Sequence, residues 1–426
     1  MFLLFLMVSV SCYFISRKIY KYKANPITIY LSVWILSVSL HQSKLIYFND
    51  LSITTWIVII SAQLIFVTGC LFGAILPKKK VSKESISIKN LNKQRKLLKK
   101  YIIISSLISA IGIIPKLLFV VQTYGLSLFG NISQVYTDSI TGQMEYDSGL
   151  NTGGFIFIAL VFSGIYLYKY RFEKVLIFPV ILLILSQLTS GSRGILIAGA
   201  LLFISPLVFG FDKWKKSNLV KKIHVNRTKV LGLLLISVLF LITWSRSANG
   251  DLSLPYASEF MKSLNSSNKT IYSIVFYFSA PIAVLNEYLQ DPIHSHWGAA
   301  TFRFFYMMLD QFGFVNYNVN FIGEYLYNTP IPTNVLTYIG ELIYDFNYGA
   351  YLVIFILGFV FDVTFRTARA KETIFSLLLV SVTFSLVALS FFAWFLRPSI
   401  FWSVLIIGGI LALIADRSNL IEEKKY

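Results

Sequence analysis

Apolar residues run along this chain in long blocks, and the polar residues between them come in clumps rather than in alternation. A bilayer crossing needs roughly 20 mainly apolar residues. Stretches of that character fall at 2–16, 26–47, 53–76, 101–123, 151–168, 175–190, 194–210, 229–244, 348–365, 373–395 and 399–415. The pattern predicts an all-α, polytopic integral membrane protein with about eleven transmembrane helices. Several blocks are short for a crossing, so their helices are expected to extend into the polar flanks. No internal repeat or low-complexity segment is visible.

Composition agrees. The 426 residues are 56% hydrophobic and 14% charged, with mean hydropathy +0.68. A soluble chain carries nearer a quarter charged residues. The net charge is nevertheless +18, and its placement explains the apparent conflict. With the N-terminus outside and the connections alternating, the inner segments hold 30 of the 38 lysines and arginines. Such a bias is the positive-inside signature, so the C-terminus is cytoplasmic and the surplus is not a nucleic-acid-binding one. The ten cations of 77–100 also suit anionic headgroups. Cys12 and Cys70 lie inside apolar runs and imply neither a disulfide framework nor a metal site. The chain begins apolar, with its positive residues following at Arg17–Lys23, which fits an uncleaved first span.

One apolar stretch resists this scheme. Ile271–Leu289 is long enough to cross, but crossing alone would put Arg366, Arg369, Lys371 and the Lys424–Lys425 tail outside. It is therefore expected to lie in the outer interface or re-enter partway. Pairing it with a second crossing at 301–321 would bury Arg303 and Asp310 in lipid. Residues 1–426 then form a single membrane domain, whose 245–347 stretch is a 103-residue outer segment containing interfacial helices. Loops of that size are uncommon without a function.

The informative charges are the few on the positive-poor side. Arg193 sits in the turn Thr189-Ser190-Gly191-Ser192-Arg193-Gly194, with Ser186 and Gln187 a turn earlier. Glycines allow close backbone approach, the following helix offers free N–H groups, and arginine presents a planar fork suited to phosphate. Arg246 follows the eighth span and Arg303 follows the interfacial stretch. Each alone is also explained as a headgroup anchor, but three at one depth point to a polyanionic ligand. Lys116, beside Pro115, is a buried-charge candidate, and Arg397, before Pro398, reads as a turn anchor. His294 and His296 form the only histidine cluster. Neutral imidazole is a natural base for a hydroxyl near pH 7, and a solvated loop is the plain alternative. Glu259, Glu324, Glu341 and Asp345 are acidic base candidates in the same segment. No metal-ligand spacing, P-loop, GxSxG or HExxH motif is present.

Two stretches resemble bacterial O-antigen and capsule repeat-unit polymerases of the Wzy type: the Leu188–Gly194 turn, and Pro330-Ile331-Pro332-Thr333-Asn334 through Tyr338-Ile339-Gly340. Tyr344-Asp345-Phe346-Asn347-Tyr348-Gly349 and Gly358 continue the second, although relatives often read Asp-Phe-Gly where this chain has Asp345-Phe346-Asn347. The resemblance implies a metal-independent, cofactor-free membrane glycosyltransferase in the bacterial cytoplasmic membrane. Its donor would be a glycan on undecaprenyl pyrophosphate, and its acceptor the next lipid-linked repeat unit. A chain-length regulator and a flippase are the expected partners, besides membrane lipid. Arg193, Arg246 and Arg303 would hold pyrophosphate, with the base among His294, His296, Glu341 and Asp345. An O-antigen ligase shares the arginine turn and the donor. A lipid-linked oligosaccharide flippase is more remote, since alternating access favours paired repeats and short loops.

Overall fold

The computed structural model of the protein describes residues 1–76, 88–125, 134–135, 138, 152–170, 172–190, 193–214, 256–265, 270–294, 297–317 and 327–417. In chain order the helices are α1 (Phe2–Ile19), α2 (Pro26–Gln42), α3 (Ile53–Ile75), α4 (Ile88–Tyr124), α5 (Phe155–Lys169), α6 (Ile177–Ser190) and α7 (Arg193–Trp214). They continue as α8 (Glu259–Asn265), α9 (Thr270–Tyr288), α10 (Arg303–Gln311), α11 (Tyr338–Phe346), α12 (Ala350–Lys371), α13 (Ile374–Ala388) and α14 (Ser399–Arg417). Among the described residues the only ladder is an antiparallel one, β1 (Tyr327–Asn328) with β2 (Pro332–Thr333). Among the described residues, six helical stretches are long and apolar enough to cross a membrane: α1, α3, Asn92–Tyr124, Thr152–Lys169, Tyr338–Lys371 and α14. Shorter apolar helices cover Lys174–Thr189, Gly194–Val208 and Ile374–Ala388. The protein is thus an all-α, multi-pass membrane protein, and every apolar block read from the sequence falls on a helix except 229–244, which lies outside the described residues.

Helix ends differ from the apolar limits for identifiable reasons. Polar residues 88–100 join α4 because Gln94 and Leu98 are buried and because Arg95 and Lys99 both reach Glu173. In the other direction, α2 stops at Gln42 because residues 45–47 pair with 256–258: Tyr47 N–H donates to the Tyr256 carbonyl at 2.7 Å, and Ser258 N–H to that of Leu45 at 3.0 Å. Its start is fixed by a reciprocal cap, in which Asn25 and Thr28 each accept the other's backbone N–H and Pro26 opens the first turn.

The chain forms two compact units. The first comprises Met1–Lys79, Ser253–Thr367 and Leu386–Trp402. Within it, α3 and α12 cross with backbones in contact: a Cβ at Gly69 would overlap the Phe355 carbonyl oxygen, and one at Gly358 that of Phe66. One turn on, Gly73 lies against Asp362, a fully buried carboxylate paired with Arg366 (2.7 Å) and the Tyr20 hydroxyl (2.5 Å). Helix α9 packs on α2, and its first half and its last turn both meet the connection between α2 and α3. Tyr272 stacks on Phe276, which meets Phe48, while Asn286 accepts from Ser52 N–H (2.8 Å) and the Thr55 hydroxyl (2.9 Å).

The second unit comprises Lys80–Leu252, Ala368–Ser385 and Ser403–Tyr426. Glu173, just before α6, gathers Arg95, Tyr166 and Lys99 (2.9 Å), and these partners hold its carboxyl down to about 2. Asp416 accepts the N–H groups of Ile374 and Phe375, both at 2.9 Å, and so caps the start of α13.

Candidate functional site

Most of the candidate residues in the first unit converge on α11. This helix starts where Thr337 accepts the Gly340 N–H at 3.4 Å, after the β1–β2 hairpin that contains the Pro330–Asn334 stretch. Its first residue is locked from three sides. The Tyr338 hydroxyl meets that of Tyr30 at 2.8 Å, its N–H donates to the Ser390 carbonyl at 3.0 Å, and Trp34 donates to the Ser390 hydroxyl at 2.9 Å. Tyr30 in turn stacks on Phe66, with 4.1 Å between ring centroids.

The spacing of four residues puts Glu341 and Asp345 one turn apart on α11. Both are buried, and each serves a different segment of chain. Asp345 accepts the N–H groups of Ala300 (2.9 Å) and Thr301 (2.8 Å), while its own carbonyl accepts that of Gly298 (3.1 Å). It fixes the turn from which α10 departs. Glu341 faces Arg397 at 3.3 Å and accepts the Trp394 N–H. The two clamps are joined: Trp394 donates to the Thr301 hydroxyl at 2.9 Å and Trp402 to the Thr301 carbonyl at 3.1 Å. A buried carboxylate is costly unless paired: Asp345 has both oxygens hydrogen-bonded to groups remote in sequence, whereas Glu341 relies on its ion pair with Arg397, its Oε2 accepting no hydrogen bond from the described residues.

His294 reaches the same helix from outside. It is exposed, and its Nδ1 lies 3.2 Å from the Ile343 carbonyl. A carbonyl only accepts, so the hydrogen belongs on Nδ1 and the Nε2 lone pair of the neutral ring is left for another proton. Arg303, partly exposed, is the first residue of α10, two positions after Thr301, and its Nε approaches Met307 Sδ at 3.4 Å. Nearby, the Tyr317 hydroxyl donates to the Ala299 carbonyl at 3.2 Å, and burial pushes this phenol up while Arg303 opposes the shift.

The remaining candidates stand apart from this cluster or beyond description. Glu259 is exposed and pairs with Lys262 at 2.7 Å. Arg193 opens α7 in the second unit, but its side chain, like Arg246, His296 and Glu324, lies outside the described residues. In the same unit Gln187 is buried, neither end of its amide hydrogen-bonded among the described residues, and Lys116 is half-buried in α4. Among the described residues no three His, Cys, Asp or Glu side chains converge as metal ligands would.

Sequence reasoning did not find the roles of Thr301, Trp394 and Trp402, and it read Arg397 as a turn anchor rather than the partner of a buried glutamate. The one available signal was that Arg397 is a cation on the positive-poor side. No protein-family profile, curated protein or solved structure matches the chain.

Proposed function

We propose that this protein is a polysaccharide polymerase of the bacterial cytoplasmic membrane. Eleven spans place the N-terminus and the 245–347 segment outside and the C-terminus in the cytoplasm. The substrates are glycans on undecaprenyl pyrophosphate. His294 Nε2 takes the proton of an acceptor sugar hydroxyl as its oxygen attacks the donor's anomeric carbon. The bond from that carbon to the pyrophosphate oxygen breaks, and undecaprenyl pyrophosphate leaves with the bonding pair. Arg193, Arg246 and Arg303 are assigned to the departing charge. Glu341 and Asp345 hold the framework around Thr301 and Arg397.

The observation that carries this reading is the exposed imidazole whose Nδ1 is engaged by the Ile343 carbonyl, beside the helix that bears the motif-like stretch. Of the base candidates described, it alone combines exposure with a lone pair fixed by a tautomer-setting contact. Asp345 spends its oxygens on backbone N–H groups, and Glu341 is buried against Arg397.

The test supplies purified protein in nanodiscs with lipid-linked repeat units as both donor and acceptor. A glycan ladder is expected, lost in His294→Ala and in Arg193→Ala. Active transfer to a lipid A core without a ladder would make the protein a ligase. Repeat units moved between leaflets but never joined would make it a flippase.

A further inference from the structure

Helix α10 has no buried residue, yet its sequence, Arg303-Phe304-Phe305-Tyr306-Met307-Met308-Leu309-Asp310-Gln311, is sorted by face. At 100° per residue, Phe304, Phe305, Met308, Leu309 and the following Phe312 share one side, and Arg303, Tyr306, Asp310 and Gln311 share the other, with Met307 the one apolar residue among them. The apolar side is left uncovered, as the polar side is at Asp310 and Gln311: Met308 is 44% exposed, Leu309 42% and Phe312 71%. A soluble protein would turn that face inward.

The helix's anchoring sets its depth. Phe302 and Phe305 pack against Trp402 (centroids 5.7 and 5.1 Å), and Trp402 donates to the Thr301 carbonyl. Trp402 lies in the first turn of α14, an apolar span of 19 residues. Tryptophan at the end of a span marks the lipid–water boundary. Nine residues of helix rise only about 14 Å, too little to cross, and Arg303 and Asp310 forbid burial in hydrocarbon.

From the exposed apolar face and its attachment to the end of a span, we infer that α10 lies in the plane of the membrane interface, with Phe305, Met308, Leu309 and Phe312 inserted among the acyl chains of bilayer phospholipid. Arg303 and Tyr306 then sit at headgroup level. Asp345, by capping the turn that launches α10, holds the neighbouring Glu341–Arg397 pair at the same depth. This inference stands without the glycosyl-transfer reading.

The test uses the full chain in phosphatidylcholine–phosphatidylglycerol nanodiscs. Nitroxide labels go at single cysteines replacing Tyr306, Met308, Leu309, Asp310 and Phe312, in a Cys12→Ala, Cys70→Ala background. Labels at 308, 309 and 312 are expected to favour oxygen over a water-soluble nickel chelate, with the preference reversed at 306 and 310. Nickel access at all five positions, or shielding of 308, 309 and 312 from both reagents by a second copy or another protein, overturns the inference. Unaltered protein gives an independent reading with a phospholipid carrying a diazirine on its acyl chain. Cross-links are expected on 305–312, and their absence while α14 is labelled overturns it equally.

Discussion

Two carboxylates a turn apart on one short helix have different jobs: Glu341 faces Arg397, and Asp345 holds a turn of backbone. Asp345 uses both oxygens as acceptors for backbone N–H groups. In Asp345→Asn one oxygen becomes an amide donor facing a donor, leaving a buried N–H unsatisfied at a cost of about 1–3 kcal/mol. A thermal melt should show that loss. His294 is exposed and bonded through one ring nitrogen, so His294→Ala should leave the melt nearly unchanged while abolishing polymer formation. An equally large loss of stability would make His294 structural. Asn347 offers the opposite sign. Its φ is +52° and its ψ −132°, in a region where a side chain is strained. Asn347→Gly should therefore raise stability, by about 1 kcal/mol. The departure from Asp-Phe-Gly noticed in the sequence falls at the position where the backbone favours glycine.

Elements were legible where hydropathy alone makes them. The blocks at 53–76 and 399–415 became α3 and α14 almost residue for residue, because an apolar block of that length has few ways to satisfy its backbone other than as helix. The polar start of α4 was not legible, since its helicity rests on Glu173, more than 70 residues away from the Arg95 and Lys99 it binds. Nor was the clamp made by Asp345, whose partners lie 44 and 45 residues back. Glu173 gives α4 a pH dependence. Its pKa is depressed from 4.5 to about 2 in the folded protein. The stabilisation is therefore complete above the unfolded value and fades as pH falls from about 4.5 through 2. Melts of wild type and Glu173→Gln should differ near pH 7 and converge toward pH 2; a gap constant with pH would mean the carboxylate is not held this way. The crossing of α3 with α12 depends on bare backbone at Gly69 and Gly358. Gly358→Leu should separate the helices and lower stability by about 1–3 kcal/mol or more.

Across the whole chain, the orientation of every later loop turns on α9. The 30-to-8 division of cations holds only if this apolar helix does not cross by itself. Its contacts favour that condition: Phe276 in its first half and Asn286 in its last turn both meet the one short connection between α2 and α3, as expected of a helix that stays beside that connection. If α9 stays on one side, the exposed Trp297 faces out and the exposed Lys93 faces the cytoplasm. A membrane-impermeant maleimide applied to intact cells, with the outer membrane permeabilised where there is one, should then label Trp297→Cys. Lys93→Cys should react only after lysis, and a cysteine at Glu372 should follow it, because α12 lies between residues 297 and 372. Labelling of 372 in intact cells along with 297 would mean that the two residues share a face. The positive-inside count would then have been satisfied by some other path through the membrane, and with it would go the assignment of His294 and Arg303 to a reaction on the outer surface.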